Sequence, residues 1–208
     1  MIQLDKTDGL WTITINRPDK ANSLTKDMLG DLVNMAEAAG DPDSGAQALI
    51  LTGKGKVFSA GADLDAARAG LATSHLWERL SGAIAALPCL SVAALNGTLA
   101  GGSTGMALAC DLRIAVPGAK FFYPVMKLGF LPQPSDPARM IALIGPARTK
   151  LILMAGQKLS TDEALTFGLI DRIVDPDVLM DTARALTADS CAAHPKVAAG
   201  IAALCAPR

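Results

Sequence analysis

The stretch Asn96-Gly97-Thr98-Leu99-Ala100-Gly101-Gly102-Ser103-Thr104-Gly105 constrains the fold of this chain more than any other. Apolar residues 91–95 before it read as a strand, and residues 102–109 as a helix of small side chains. Glycines at 101, 102 and 105 allow a sharp turn and leave room for a second backbone or a ligand. A strand that breaks into glycines and opens a helix points unpaired N–H groups outward, and the helix dipole adds partial positive charge there. Such a turn holds an anion, or an oxygen that becomes one. The same glycines also suit a helix packed tightly on a sheet, with no chemistry. A second stretch upstream, Phe58-Ser59-Ala60-Gly61-Ala62-Asp63-Leu64, tips the balance toward the first reading.

Glycine and proline also decide what the long uncharged run from Leu80 to Cys110 becomes. Pro88, Asn96-Gly97 and Gly101-Gly102 cut it into pieces. None offers the ~20 continuous helical residues of a membrane span. The run is read as buried helix, buried strand and turn. The chain has 208 residues, 50% of them hydrophobic, enough for a single domain with a substantial core. Its 19 Lys and Arg balance 20 Asp and Glu with no basic stripe, which excludes a nucleic-acid surface. Cys89, Cys110, Cys191 and Cys205 show no CxxC spacing and read as reduced thiols of a cytoplasmic protein. With only two separated histidines besides, no metal site is indicated. The first residues carry neither the basic nor the apolar region of a signal peptide.

Strands are expected at 11–15, 48–52, 91–95, 112–116, 120–123 and 169–174. Residues 2–4 would pair with the first through the Asp8-Gly9 turn. Helices are expected at 25–39 with Thr25 as cap, at 65–87 with a break near Gly70, at 138–144, and at 146–155. One more opens with the capping box Ser160-Thr161-Asp162-Glu163 and ends at Gly168. The chain after 174 reads as helical. Strands alternating with helices predict an α/β domain with a largely parallel sheet.

Three segments carry a resemblance. They are Asn16-Arg17-Pro18 with Ala21-Asn22-Ser23-Leu24, the Phe58–Leu64 stretch, and Asn96-Gly97 with Ala100-Gly101-Gly102 and Cys110-Asp111. In this order and spacing they resemble the enoyl-CoA hydratase/isomerase (crotonase) superfamily. The match continues through Leu128-Gly129-Phe130-Leu131-Pro132 and Gly168-Leu169-Ile170-Asp171. The resemblance implies a ClpP/crotonase ββα spiral over about 1–175 and a shortened C-terminal helical region over 176–208. It implies a homotrimer or a dimer of trimers, and an acyl-CoA thioester as substrate, with coenzyme A entering only as part of that substrate. The backbone N–H groups of Ala62 and Gly102 become the oxyanion hole, and preorganised donors of this kind stabilise an enolate. Lys20, Ala21, Ala60, Asp63, Leu64, Gly101 and Val125 border the CoA and acyl cleft, and Arg17, Lys54 and Lys56 are candidates for the CoA phosphates.

The chain departs from the family where hydration is done. Paired carboxylates hold and activate water, and the positions that carry them in hydratases are Gly105 and Val125 here. Enolate chemistry other than standard hydration is therefore expected: isomerisation, decarboxylation or C–C cleavage. Candidates for the missing proton carrier are Lys127, on the face of Val125 if that segment is extended, and Asp136 in the proline-rich loop. Tyr123, and His75 with Glu78, are weighed beside them, each with a structural reading as well. Asp111 is expected to be structural.

Two other readings stand beside this one. Gly101-Gly102-Ser103-Thr104-Gly105 is a literal G-x-S-x-G, which would make Ser103 a hydrolase or thioesterase nucleophile, with His194 and Asp171 or Asp175 completing a triad. Loss of both carboxylates also fits a non-catalytic acyl-CoA-binding or regulatory relative. The short C-terminus leaves fewer helices than fuller members use to cover the site and build the trimer.

Overall fold

The computed structural model describes residues 1–205. The strands are β1 (Ile2–Thr7), β2 (Leu10–Ile15), β3 (Ala48–Gly53), β4 (Val57–Ser59), β5 (Leu90–Leu95), β6 (Thr98–Ala100), β7 (Leu112–Ala115), β8 (Lys120–Phe122), β9 (Leu159–Ser160) and β10 (Arg172–Ile173). The helices are α1 (Lys26–Gly40), α2 (Leu64–Arg68), α3 (Leu76–Ala85), α4 (Thr104–Ala109), α5 (Val125–Leu128), α6 (Asp136–Leu153), α7 (Thr161–Phe167), α8 (Leu179–Ala192) and α9 (Pro195–Cys205).

The strands form two sheets, β1-β2-β3-β5-β7-β10 and β4-β6-β8-β9. The chain leaves the first sheet at the end of β3, β5 and β7, enters the second as β4, β6 and β8, and each time goes on into helix. This repeated strand-strand-helix turn is a spiral. It makes every pairing parallel except the β1–β2 hairpin and β8–β9. Helices α1 and α3 pack on each other, and α8 lies across β3, β5 and β7. The core is aliphatic: Ile13, Ile50, Leu51, Val92 and Ile114 of the first sheet are buried, as are Met28, Leu29 and Leu32 of α1 and Leu80 of α3. Among the described residues no helix is long and apolar enough to cross a membrane, and no cluster of metal-ligating side chains occurs.

The crossings between sheets explain residues that the motifs carry. Asn96 accepts the Gly53 N–H at 3.0 Å and donates to the carbonyls of Gly55 and Val57. Buried Asn22, with φ +53°, donates to the carbonyls of Lys54 and Val57 and accepts the Arg17 N–H. A Cβ on Gly97 would fall on the Lys56 carbonyl, so glycine is what lets the β4–β6 crossing close.

Most expected elements are present with shifted ends. The 65–87 helix is three pieces, because Gly70 (φ +97°) ends α2 and a single 3-10 turn, Leu71–Thr73, precedes α3. The two helices expected at 138–144 and 146–155 are both present as the two halves of α6, divided at the non-helical Gly145 (φ +76°). The 169–174 strand shrinks to β10, since Gly168 caps α7 in the left-handed region and the N–H groups of Leu169 and Ile170 turn back to Ala164.

Candidate active site

The two glycine stretches meet. The chain at Leu24 pairs with Ala62: its N–H donates to Gly61 O at 2.8 Å, and the Asp63 N–H returns to Leu24 O at 2.8 Å. Gly61 (φ +88°) lies so close to the second stretch that a Cβ there would be 2.9 Å from Ala100 O and 3.3 Å from Gly102 N. Ser103 locks the pair, its hydroxyl donating to Ala100 O at 2.6 Å and to Ser59 O at 3.2 Å. Ser59 in turn donates to Asn22 O and accepts the Gly61 N–H. Arg17 Nη1 ties the first loop to the turn through Ser23 O (3.0 Å) and Asp63 Oδ2 (2.8 Å). Among the described residues none accepts the Ala62 N–H, and Gly102 sits in the first turn of the Gly101–Ser103 3-10 helix, where N–H groups have no intrahelical acceptor.

These amides open onto an apolar cleft of about 420 Å³. Ala62, Trp77, Gly102, Tyr123 and Val125 line it, and Leu64, Leu128, Phe130 and Leu131 form an exposed apolar mouth, Leu131 at 87% exposure. The Trp77 indole is fixed by its Nε1–H to Leu71 O at 2.7 Å, and it packs flat on Gly102, where a Cβ would be 3.1 Å from the ring. Charge reaches the cleft at Arg68, itself paired with Asp65 at 3.0 Å. A larger groove, about 730 Å³, runs between the β2 threonines and α8 and contains neither glycine turn.

Behind Tyr123 lies the most unusual side chain of the region. Asp136, the first residue of α6, is 0% exposed, and neither carboxylate oxygen has a hydrogen-bond partner. A Cβ on Gly105 would be 2.6 Å from its Oδ1. Burial pushes the Asp136 carboxyl up to about 7, against the lowering effect of the Tyr123 phenol and the Arg139 guanidinium. Burial and the Asp136 carboxylate both push the Tyr123 phenol up, so it stays protonated at neutral pH. Glu78 accepts from both the backbone and the hydroxyl of Ser135, which holds the start of α6 in place.

A sequence model of the family described as Enoyl-CoA hydratase/isomerase matches residues 5–204. A crotonyl-CoA hydratase of Syntrophomonas wolfei is 35% identical over 185 residues, covering 86% of this chain and 71% of the relative. A probable enoyl-CoA hydratase of Mycobacterium tuberculosis is 35% identical over 190 residues, covering 89% and 72%. The crystal structure of an enoyl-CoA hydratase from Bacillus anthracis superimposes with a TM-score of 0.88 at 31% identity, covering 97% of this chain and 80% of the other. The chain belongs to the enoyl-CoA hydratase/isomerase family.

The crotonase spiral expected from the motifs is therefore its fold. For a member of this family the individual side chains are informative. Ala60, Ala62, Leu64, Gly101, Gly102 and Val125 all line the one cleft. Lys20 ends the exposed turn Pro18–Lys20, and the left-handed Ala21 (φ +50°) accepts the Ala60 N–H. Lys54 and Lys56 are exposed in the β3–β4 loop.

Several expectations are corrected. Lys127 does not share the face of Val125: the segment is the helical turn α5, not extended, so Val125 is buried in the cleft and Lys127 is exposed outside it. Asp63 is not free for a ligand, because it caps α2 through the N–H groups of Asp65 and Ala66 and pairs with Arg17. Arg17 for the same reason is turned inward rather than toward a phosphate. The triad reading of Ser103 fails. The Ser103 side chain is 0% exposed and donates to two carbonyls, His194 Nδ1 accepts the Lys196 N–H, and Asp171 accepts from Arg113. Asp175 precedes the 3-10 turn Pro176–Val178, and its carbonyl accepts the Val178 N–H. Asp111 is structural as expected, receiving the N–H and hydroxyl of Ser91.

Trp77 was not legible as a site residue, since a tryptophan at helical spacing reads as core. Asp136 was legible only as a candidate, and its burial against Gly105 spans thirty residues of sequence with no local signal.

Proposed function

We propose that this chain acts on acyl-CoA thioesters through an enolate held by the N–H groups of Ala62 and Gly102. The reaction class is double-bond isomerisation, decarboxylation or C–C cleavage rather than standard hydration. The observation that carries this reading is the unaccepted Ala62 amide beside the first-turn amide of Gly102, at the mouth of an apolar cleft. As negative charge develops on the thioester oxygen, two fixed donors and a helix N-terminus hold it without reorganisation. Removal of one such donor typically costs ~10²–10³ in rate. Trp77, Val125 and the exposed leucines offer surface to an acyl chain and exclude water from the enolate carbon. Hydration would need two carboxylates placed to activate water. Glycine at 105 and valine at 125 supply neither.

Calorimetric titration with crotonyl-CoA and with free CoA, followed by chromatography of a panel of acyl-CoA mixtures, tests the proposal. Saturable binding with a changed thioester other than the 3-hydroxyacyl product supports it. Conversion to that product as the main reaction removes the non-hydratase assignment. Binding with no turnover on any thioester favours a non-catalytic acyl-CoA-binding relative.

A further inference from the structure

We propose that Asp136, acting through Tyr123, takes up and returns the proton in this cleft. The inference rests on the enolate reading above and deepens it by naming the proton carrier.

Three independent observations converge on the pair. First, the Asp136 carboxylate is fully buried with no closed hydrogen bond to either oxygen and only the Tyr123 phenol beside it, a costly arrangement for a group with only a structural task. A helix-capping aspartate would bond the N–H groups of its own first turn, as Asp63 does at α2, and Asp136 does not. Second, the carboxylate stands over Gly105, one helical turn beyond Gly102, and the neighbouring Thr104 hydroxyl is also buried without a partner. Two unmet polar side chains, Thr104 itself and Asp136 against Gly105, thus meet α4 within three residues of Gly102. Third, Tyr123 lines the cleft and also lies beside Asp136, and its hydroxyl accepts the Gln133 N–H at 3.5 Å. The pair stands without a closed hydrogen bond, as is common for catalytic groups before substrate is bound.

The groups facing Asp136 are few. They are Tyr123 from the loop after β8, Glu78 from α3 and Arg139 from its own helix. Glu78 is engaged by Ser135, and Arg139 donates to the Ser81 hydroxyl at 2.8 Å. Neither forms an ion pair with Asp136. Its protonation is therefore free to follow the chemistry, and its pKa of about 7 suits both directions of transfer near neutral pH.

The step is balanced within the site. The α-C–H bond of the acyl group breaks, and its proton bonds to the Tyr123 oxygen as the phenol proton passes to the Asp136 carboxylate. The electron pair moves to the thioester oxygen held at Ala62 and Gly102. Reversal at the same carbon restores the substrate, and reversal at the γ carbon of an unsaturated chain moves the double bond. Nothing is oxidised or reduced.

The experiment is exchange of the α-protons of butyryl-CoA in D2O, read by proton NMR across pH, for the wild type and for Asp136→Asn and Tyr123→Phe. Folding is checked by circular dichroism, and butyryl-CoA affinity by calorimetry. The wild type exchanges with a rate that rises through pH ~7, as the carboxylate ionises, and then levels. Each variant falls ~10²–10⁴-fold with affinity retained, the usual worth of a positioned acid or base, and Asp136→Asn loses the limb near pH 7. The double variant Gly105→Asp/Asp136→Gly, which returns a carboxylate to the same volume from α4, recovers part of the rate. Asp136→Asn exchanging at the wild-type rate with the same limb overturns the proposal while leaving the enolate reading intact. Tyr123→Phe at the wild-type rate overturns the relay. A wild type that binds butyryl-CoA and exchanges nothing overturns both the enolate reading and this inference.

Discussion

The carboxylate of Asp136 occupies the volume in which a side chain at Gly105 would begin: a Cβ there would lie 2.6 Å from Oδ1 and 3.0 Å from Oδ2. The two positions come from different helices, α4 and α6, and only one of them can hold a side chain in that space. Gly105→Ala is therefore expected to lose about 1–3 kcal/mol, the usual cost of overpacking a closed interior. Gly105→Ala with Asp136→Gly should recover most of it. Urea denaturation of the two single variants and the double variant measures this, and the coupling should be far from additive.

Asp136 also makes stability depend on pH, with a sign opposite to that of a salt-bridged aspartate. Its carboxyl is raised from 3.8 to about 7, so the folded chain holds the proton more tightly than the unfolded one. Stability is full below pH ~4 and falls as pH rises toward 7, by on the order of a few kcal/mol. Asp136→Asn removes the ionisation, so thermal unfolding should show the variant more stable than wild type at pH 8, with the gap closing near pH 4. A wild type that gains stability between pH 5 and 8 relative to the variant would contradict the burial of this group.

Asp63 behaves the other way. Its hydrogen bonds from Arg17 and from the Ala66 N–H hold its carboxyl below the usual aspartate range. The Arg17 contact thus supports the fold above pH ~4, and its benefit disappears as pH falls through the native value. Arg17→Met should loosen the 17–24 loop from the Ala62 turn. The expected result is a lower Tm at pH 7 and weaker acyl-CoA binding, with the Tm difference narrowing below pH 4.

Ser103 is a brace rather than a nucleophile. Its hydroxyl holds Ala100 O and Ser59 O and is sealed from solvent. Ser103→Ala should lose about 1 kcal/mol, the net worth of a buried hydrogen bond, and retain thioester chemistry within about tenfold, because no covalent intermediate is lost. Fluorophosphonate labelling of the wild type should give no adduct at Ser103.

Lys127 on α5 is exposed and outside the cleft. Lys127→Ala should leave turnover and its pH profile unchanged. A rate loss beyond tenfold would return this lysine to the chemistry.

What could be read from the sequence follows the range of the signal. Thr25 and the Ser160–Glu163 capping box are local patterns, and both cap as expected. The glycine stretches were legible because their conformational demands show in composition, and Gly61 and Gly101 do adopt positive φ. The second sheet was largely missed. β4, β6 and β9 have two or three residues each, too few for any periodicity; β4 and β6 are set by the crossings that Asn22, Asn96 and Gly97 close, and β9 by its antiparallel pairing with β8. The extended reading of 124–128 failed because Pro124 opens a helical turn that Gly129 (φ +71°) ends, which separates Lys127 from Val125. That Asp136 folds over Gly105 depends on how α6 packs on α4, and no spacing within the sequence encodes it.

The proposed enolate chemistry requires the amides of Ala62 and Gly102 to polarise a thioester carbonyl. Isotope-edited infrared spectroscopy of acyl-CoA labelled with carbon-13 at that carbonyl reads this directly. On binding to the wild type, the carbonyl stretch should move to lower frequency. Gly102→Pro, which deletes one donor, should bind with most of that displacement gone. A bound thioester whose carbonyl stretch stays at its value in water would contradict the account.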